Sequence, residues 1–293
     1  MSSAFHQQER KNTKVLTETK KYEFDRQGFI VLPDFLTQQE VDCLKPAIQK
    51  LEKHAREHYQ LEPRNVRKPN YHFNPEGGYH VTGGHQHGQT LIIEDFFNFD
   101  PAFDFLVNHQ KTMDYIDGIV REKIAINNSE LRVRYTGNFS GGHGGGYARG
   151  YKHRYSIKAG DIDCMMVRFI YFTHDVSNEG GAFCVVPGSH KSAFPCPYAC
   201  SIDEEPGMIG LEVKTGDAIL FTEALRHGGV TNHKNETRMT LHVGYGPYWM
   251  MSQNIATMDE PLFIKPETWK RYNTEQKELF QPWLRQGPEY QLT

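Results

Sequence analysis

Gly180-Gly181-Ala182-Phe183-Cys184-Val185-Val186-Pro187-Gly188-Ser189-His190-Lys191 reads as an apolar strand that runs into a Pro-Gly turn. Further along, Lys214-Thr215-Gly216-Asp217-Ala218-Ile219-Leu220-Phe221 is a tight turn followed by a second buried strand. On either side lie more segments of the same kind. Leu131–Tyr135 alternates, Cys164–Phe172 is a strong strand, and Leu211–Val213 and Met239–Tyr245 complete the set. Many short strands separated by Gly and Pro turns predict an antiparallel double-sheet jelly roll, the double-stranded β-helix of cupin-like proteins. No internal repeat is evident.

The N-terminal half adds helical decoration. Residues 1–22 are polar and are expected to fray as a flexible segment. Gly28–Leu32 reads as a strand closed by Pro33. Thr37-Gln38-Gln39-Glu40 is a capping box, and Val41, Leu44, Ile48 and Leu51 recur at helical spacing, so a helix is expected to about residue 58. Residues 60–95 are rich in Gly, Pro, His and Asn without a clear period, and read as long loops near a pocket mouth. A second helix is expected from Pro101 to Val120. No composition break divides residues 23–293, which read as one domain.

Chemistry concentrates in Leu225-Arg226-His227-Gly228-Gly229 and Asn235-Glu236-Thr237-Arg238, with ten residues between His227 and Arg238. A neutral imidazole binds a transition metal well. A guanidinium grips a carboxylate with two parallel hydrogen bonds. One strand crossing can aim both at one cavity. The pair therefore reads as a metal ligand and an anchor for the far end of an organic acid that chelates the metal.

The order of these segments resembles the phytanoyl-CoA dioxygenase family of iron(II)/2-oxoglutarate oxygenases. There, a Gly-Gly-x-x-x-x-x-Pro-Gly-Ser-His segment precedes a Gly-Asp strand, the distal iron-binding histidine and the 2-oxoglutarate arginine. The likeness runs from about Phe24 to Tyr248, specific in its second half and loose in its first. It implies a jelly-roll fold, Fe(II) and 2-oxoglutarate as cofactors, and hydroxylation of a small organic molecule with O2. It also implies that His227 is the distal metal ligand and that Arg238 binds 2-oxoglutarate.

The sequence departs from the pattern at the proximal ligands. The family's His-x-Asp, expected ahead of the Cys164–Phe172 strand, is missing. Gly141-Gly142-His143-Gly144-Gly145-Gly146 stands there, followed by Lys152-His153-Arg154-Tyr155. His143 is the expected proximal ligand, because flanking glycines let the backbone pass close to a bound group. His153 is the rival; its distance to the Pro-Gly-Ser-His turn is closer to the common family spacing. With His143, the carboxylate position falls on Gly145. Three readings stay open. A halide such as chloride could fill the vacant position, as in the His-x-Gly halogenases of this superfamily. Another acid could serve: Glu223 first, Asp161 and Asp163 more weakly. Or the site could be an inactive binding pocket. An extended strand would separate positions 223 and 227 by about 13 Å, so Glu223 needs a turn to reach the metal. His80, His85 and His87 form a loop cluster read as solvated, and His190 is read as structural. His174 and Asp175 point to opposite faces of a strand. Either Arg134 or Tyr135 is expected to face the cofactor.

Composition excludes other classes. With 293 residues, 38% of them hydrophobic, the chain can bury a substantial core. A net charge of -3 argues against bulk attraction to nucleic acid or anionic membrane. The run Arg64 to Lys68 reads as solvated loop charge. Five cysteines (Cys43, Cys164, Cys184, Cys196 and Cys200) form no Cys-x-x-Cys pair, which fits a reducing compartment better than a disulfide framework. The first twenty residues lack an apolar run, no stretch reaches membrane-spanning length, and the last residues are not a Ser-Lys-Leu address. A cytoplasmic location is therefore expected. Oligomeric state is not legible.

Overall fold

The computed structural model describes residues 16–58, 69–83, 90–145, 150–258, 260 and 262–280. His85, His87 and the Arg64 to Lys68 run lie outside them.

Helix α1 (Glu18–Gln27) starts inside the segment expected to fray. Thr17 accepts from the Lys20 N–H and Gly28, with φ +84°, donates back to the Phe24 carbonyl, so both helix ends are capped. Buried Phe24 ties the helix to the core. Strand β1 (Phe29–Leu32) follows, then α2 (Gln38–Glu57), whose Thr37/Glu40 capping box is formed. Its face of Val41, Leu44, Ile48 and Leu51 is buried.

The stretch read as loops instead contains β2 (His72–Asn74), β3 (Tyr79–Thr82) and β4 (Leu91–Glu94). Each spans only three or four residues, too few to establish a period. Their register comes from neighbours, through pairing of β4 with β5 (Ile124–Arg134). The expected long helix is broken. A 3-10 segment, Pro101–Leu106, is separated from α3 (Gln110–Ile116) at His109, which is non-helical with ψ 119°. The His109 ring packs 5.3 Å from that of Phe35 and lies 3.2 Å from the Glu40 carboxylate, so tertiary contacts override the helical pattern.

The remaining strands are β6 (Ser140–His143), β7 (Tyr155–Lys158), β8 (Asp161–Cys164), β9 (Val167–Phe172), β10 (Phe183–Val185), β11 (Ile209–Leu211), β12 (Ala218–Thr222), β13 (His227–Gly229) and β14 (Arg238–Pro247). Short helices α4 (Pro266–Arg271) and α5 (Thr274–Glu278) follow. The single strand expected over Cys164–Phe172 is two. Cys164 pairs with Tyr155 in the β7–β8 hairpin, whereas Val167 pairs with Thr222 in the large sheet. Met165 and Met166 carry the chain from one to the other. The strand expected over Leu211–Val213 lies two residues earlier, and Val213 keeps an isolated bridge to Val176.

The large sheet has order β1-β12-β9-β14-β5-β4-β3-β2 and the small one β11-β10-β13-β6, all antiparallel. Alternation gives the large sheet two unlike faces. One carries Leu131, Val133, Phe169, Tyr171, Leu220, Leu241 and Val243, and packs on α1 and α2 as the main core. The other faces the small sheet. There Ile170, Phe172, Ile219 and Phe221 meet Phe183, Val185 and Leu211 in a second core. Further along the same face the register sets Arg238 opposite Arg134, Thr240 opposite Arg132, and His242 opposite Glu130. A jelly-roll interior that is apolar in one part and densely charged in another is where a polar site can sit. The five cysteines are free, with Cys164 and Cys184 buried.

Candidate active site

His143 ends β6 and His227 begins β13, and the two residues are directly paired across the small sheet. Their rings lie 4.2 Å apart, centre to centre. Each Nδ1 is tied to a backbone carbonyl two residues earlier, His143 to Gly141 at 2.9 Å and His227 to Leu225 at 2.7 Å. A carbonyl only accepts, so this pairing assigns the proton to Nδ1 and leaves a lone pair on Nε2. Burial pushes both imidazoles below their ordinary pKa, His227 further because His143 adds to the effect. His143 has solvent-accessible surface, yet protein surrounds it closely enough for that burial to count. Both rings are thus neutral near pH 7, the form that binds a metal. Phe183 and Phe221 pack on His227, with centroids 5.6 and 4.9 Å away.

The chain after His143 is shaped by its glycines. Gly144 has φ +76°, and a Cβ there would fall 2.4 Å from the Leu225 carbonyl oxygen. Gly145 has φ +104° and donates to the Ala224 carbonyl at 3.0 Å. An aspartate at 145 would be strained, since L side chains rarely adopt that backbone. Beyond the glycines lies a cavity of about 620 Å³, lined by Phe194, Tyr198, Glu205 and Arg226 among others. Neither histidine lines it, so it is not the space between the rings.

The turn that Glu223 needs is present. The Leu225 N–H donates to the Thr222 carbonyl at 2.9 Å, and Glu223 is buried beside the histidines. Its carboxylate is already engaged. Arg168 Nε lies 2.8 Å from Oε2, an ion pair off hydrogen-bond alignment, and Lys152 Nζ lies 3.8 Å from Oε1. Burial alone would raise the pKa of Glu223. Arg168, His227, Lys152 and His143 outweigh it and hold the carboxyl well below the usual range. Arg168 also reaches Glu130 at 3.3 Å, and Arg132 pairs with Glu130 at 2.6 Å. Among the described residues, no three His, Cys, Asp or Glu side chains are grouped as a metal-holding set.

Other sequence candidates lie elsewhere. His153 closes a 3-10 turn, Tyr151–His153, with its Nδ1 buried and without a hydrogen-bond partner among the described residues. Asp161 pairs with Lys21 and Arg121, and Asp163 with Lys158 and Arg154, so neither is free to serve a metal. His190 sits under Tyr155 and on the Asp25 carbonyl, a packing role. His80 is buried on Asp95 at 2.7 Å, not solvated as expected. Tyr135 points to Glu52; it is Arg134 that faces the interior. The charged network of Arg168, Glu130 and Arg132 was not anticipated. A signal existed: Arg168 interrupts the apolar run Val167 to Phe172, and a charge inside a core strand calls for buried partners.

Arg238 is only 2% exposed, and Nε, Nη1 and Nη2 all lack a hydrogen-bond partner among the described residues. A buried guanidinium so placed fits a carboxylate ligand. Burial, then Arg134 and Arg132, push its pKa well below the ordinary value.

The phytanoyl-CoA dioxygenase family model matches residues 24–240. This chain belongs to that family. Among solved structures, HygX from Streptomyces hygroscopicus with nickel and 2-oxoglutarate bound is similar at 23% identity and TM-score 0.66, over 81% of this chain and 89% of that one. EctD from S. alaskensis with bound iron aligns at 18% identity and TM-score 0.59, over 87% and 85%. The epimerase SnoN from nogalamycin biosynthesis aligns at 15% and 0.56, over 79% and 83%. A comparison with curated protein sequences finds no match. As a member of the phytanoyl-CoA dioxygenase family, the protein is a 2-oxoglutarate-dependent, non-heme iron oxidoreductase. Its donor set fits those cofactors: two imidazole Nε2 atoms for iron and one unpartnered guanidinium for the acid. No helix among the described residues is long and apolar enough to cross a membrane.

The rival histidines are separable by substitution. His143→Ala is expected to lose iron, and His153→Ala to retain it, because His143 alone stands against His227. Iron content after anaerobic loading and gel filtration measures this. Loss of iron only in the His153 variant would reverse the assignment.

Proposed function

We propose that the protein hydroxylates a small polar organic molecule, with His143 and His227 holding iron through Nε2 and Arg238 holding the far carboxylate of 2-oxoglutarate. The observation that carries this is the joint placement of two neutral imidazoles and one unpaired buried guanidinium inside one jelly roll. When bound, iron and 2-oxoglutarate would activate O2, one oxygen atom going into succinate as carbon dioxide is lost and the other into an unactivated C–H bond of the substrate. The chain's own residues bind and orient. Phe183 and Phe221 keep water from one side of His227. Arg168 holds Glu223 ionised but compensated. The charged cluster of Glu130, Arg132 and Arg168 favours a substrate with polar groups over a bare hydrocarbon.

A second reading, halide transfer, is favoured by Gly145 and by the engagement of Glu223 with Arg168. Glycine at 145 offers no carboxylate, and that of Glu223 is already paired. Chloride should therefore perturb the optical spectrum of the anaerobic iron–2-oxoglutarate complex, and Glu223→Gln should leave iron affinity within a few-fold of the parent. If Glu223 is the third ligand, chloride has no effect and Glu223→Gln releases the metal. Succinate formation with and without chloride, read with product mass, separates hydroxylation from halogenation. Binding of 2-oxoglutarate without any succinate would mark an inactive binding protein.

A further inference from the structure

We propose that Arg134 is a second guanidinium anchor for the acid held by Arg238, so that the far carboxylate of 2-oxoglutarate lies between two cations. This rests on the reading of Arg238 given above. Arg134 is the last residue of β5 and Arg238 the first of β14, and the two are directly opposed. Opposed residues of an antiparallel pair share a face. Both side chains are buried, at 1% and 2% exposure.

The partners of Arg134 are all neutral. Nε donates to the Thr90 hydroxyl at 3.2 Å, Nη1 to the Gly181 carbonyl at 2.7 Å and Nη2 to the Ser140 hydroxyl at 3.0 Å. A guanidinium has five N–H groups, so Nη1 and Nη2 each keep one to donate. The neighbouring arginines on this face of the sheet are matched, Arg132 by Glu130 and Arg168 by Glu130 and Glu223. Among the described residues, no carboxylate pairs with Arg134 or with Arg238. Two adjacent buried cations without an anion are an electrostatic demand for one.

The backbone is cut to hold this group. A Cβ at Gly229 would fall about 2 Å from the Arg134 guanidinium, so only glycine lets the group lie against β13. Gly229 is two residues beyond His227, or about 6.6 Å along a strand. That is the scale of a five-carbon diacid reaching from a metal at His227 to a cation at the strand end. Burial, then Arg132, lowers the Arg134 pKa to about 10; burial, then Arg134, lowers that of Arg238. A guanidinium keeps its proton in proteins, so both sites carry positive charge.

The test compares 2-oxoglutarate with pyruvate on the iron-loaded, anaerobic protein by calorimetry. Pyruvate presents the same oxo acid to the metal but has no far carboxylate. Arg134→Gln should weaken 2-oxoglutarate at least ten-fold and leave pyruvate within two-fold. Arg134→Lys keeps the charge but loses the fork, and should lie between; it also decides the matter if the glutamine variant does not fold. A purely structural strut would weaken both acids alike, and that result, or unchanged 2-oxoglutarate affinity, overturns the proposal. Arg238→Gln separates the two layers. Unaltered 2-oxoglutarate binding there removes the Arg238 anchor itself, whereas loss there with full binding in the Arg134 variants removes only the second anchor.

Discussion

His227→Ala is expected to abolish stable iron binding while leaving the folded protein intact. The ring sits at the start of β13 with Nδ1 on the Leu225 carbonyl, which leaves Nε2 the lone pair that a metal would take. With a single protein imidazole left at His143, the loss should exceed the roughly 10–100-fold that outer partners of a ligand contribute. Metal titration by calorimetry reads the affinity, and circular dichroism reads the fold. Truncating a buried ring packed between Phe183 and Phe221 will lower the melting temperature somewhat. A folded variant with unchanged iron affinity would remove His227 from the site.

Arg238→Ala should weaken 2-oxoglutarate far more than it harms the fold. Truncating one member of a desolvated, charged and hydrogen-bonded pair costs on the order of 2–5 kcal/mol. That corresponds to roughly thirty-fold or more in dissociation constant. The fold should tolerate the change, because Arg238 makes no hydrogen bond to the described residues that the substitution could break. Removing a buried, unpaired charge even relieves a desolvation cost. An unaltered dissociation constant would refute the anchor.

Legibility in the sequence followed the locality of the cause. Helix α2 was readable because its cap and apolar spacing are both written in consecutive residues, Thr37 to Leu51. The strands from Phe183 onward were readable because Gly and Pro turns bound them. Strands β2 to β4 were not, since three or four residues carry no period and take their register from β5. The break at Met165–Met166 was hidden for a similar reason: an apolar run does not say when it changes sheets. At the site, His227 and Arg238 stood out by residue type and spacing. In the sequence His143 and His153 compete; the pairing that places His143 opposite His227 joins strands far apart in the chain and is not written locally. The charges of Glu130, Arg132 and Arg168 were visible as letters, but which face of the sheet they share is a matter of register across three strands.

Two imidazoles and one guanidinium, without a protein carboxylate, are proposed to make an iron and 2-oxoglutarate site. Anaerobic titration of the apoprotein with iron(II) and then 2-oxoglutarate tests it most directly, because the chelate absorbs visible light by charge transfer only when both share one site. The expected result is a band that saturates at one iron per chain, persists in Glu223→Gln, and disappears in His143→Ala and His227→Ala. A band that survives loss of either histidine, or that vanishes in folded Glu223→Gln, would contradict it.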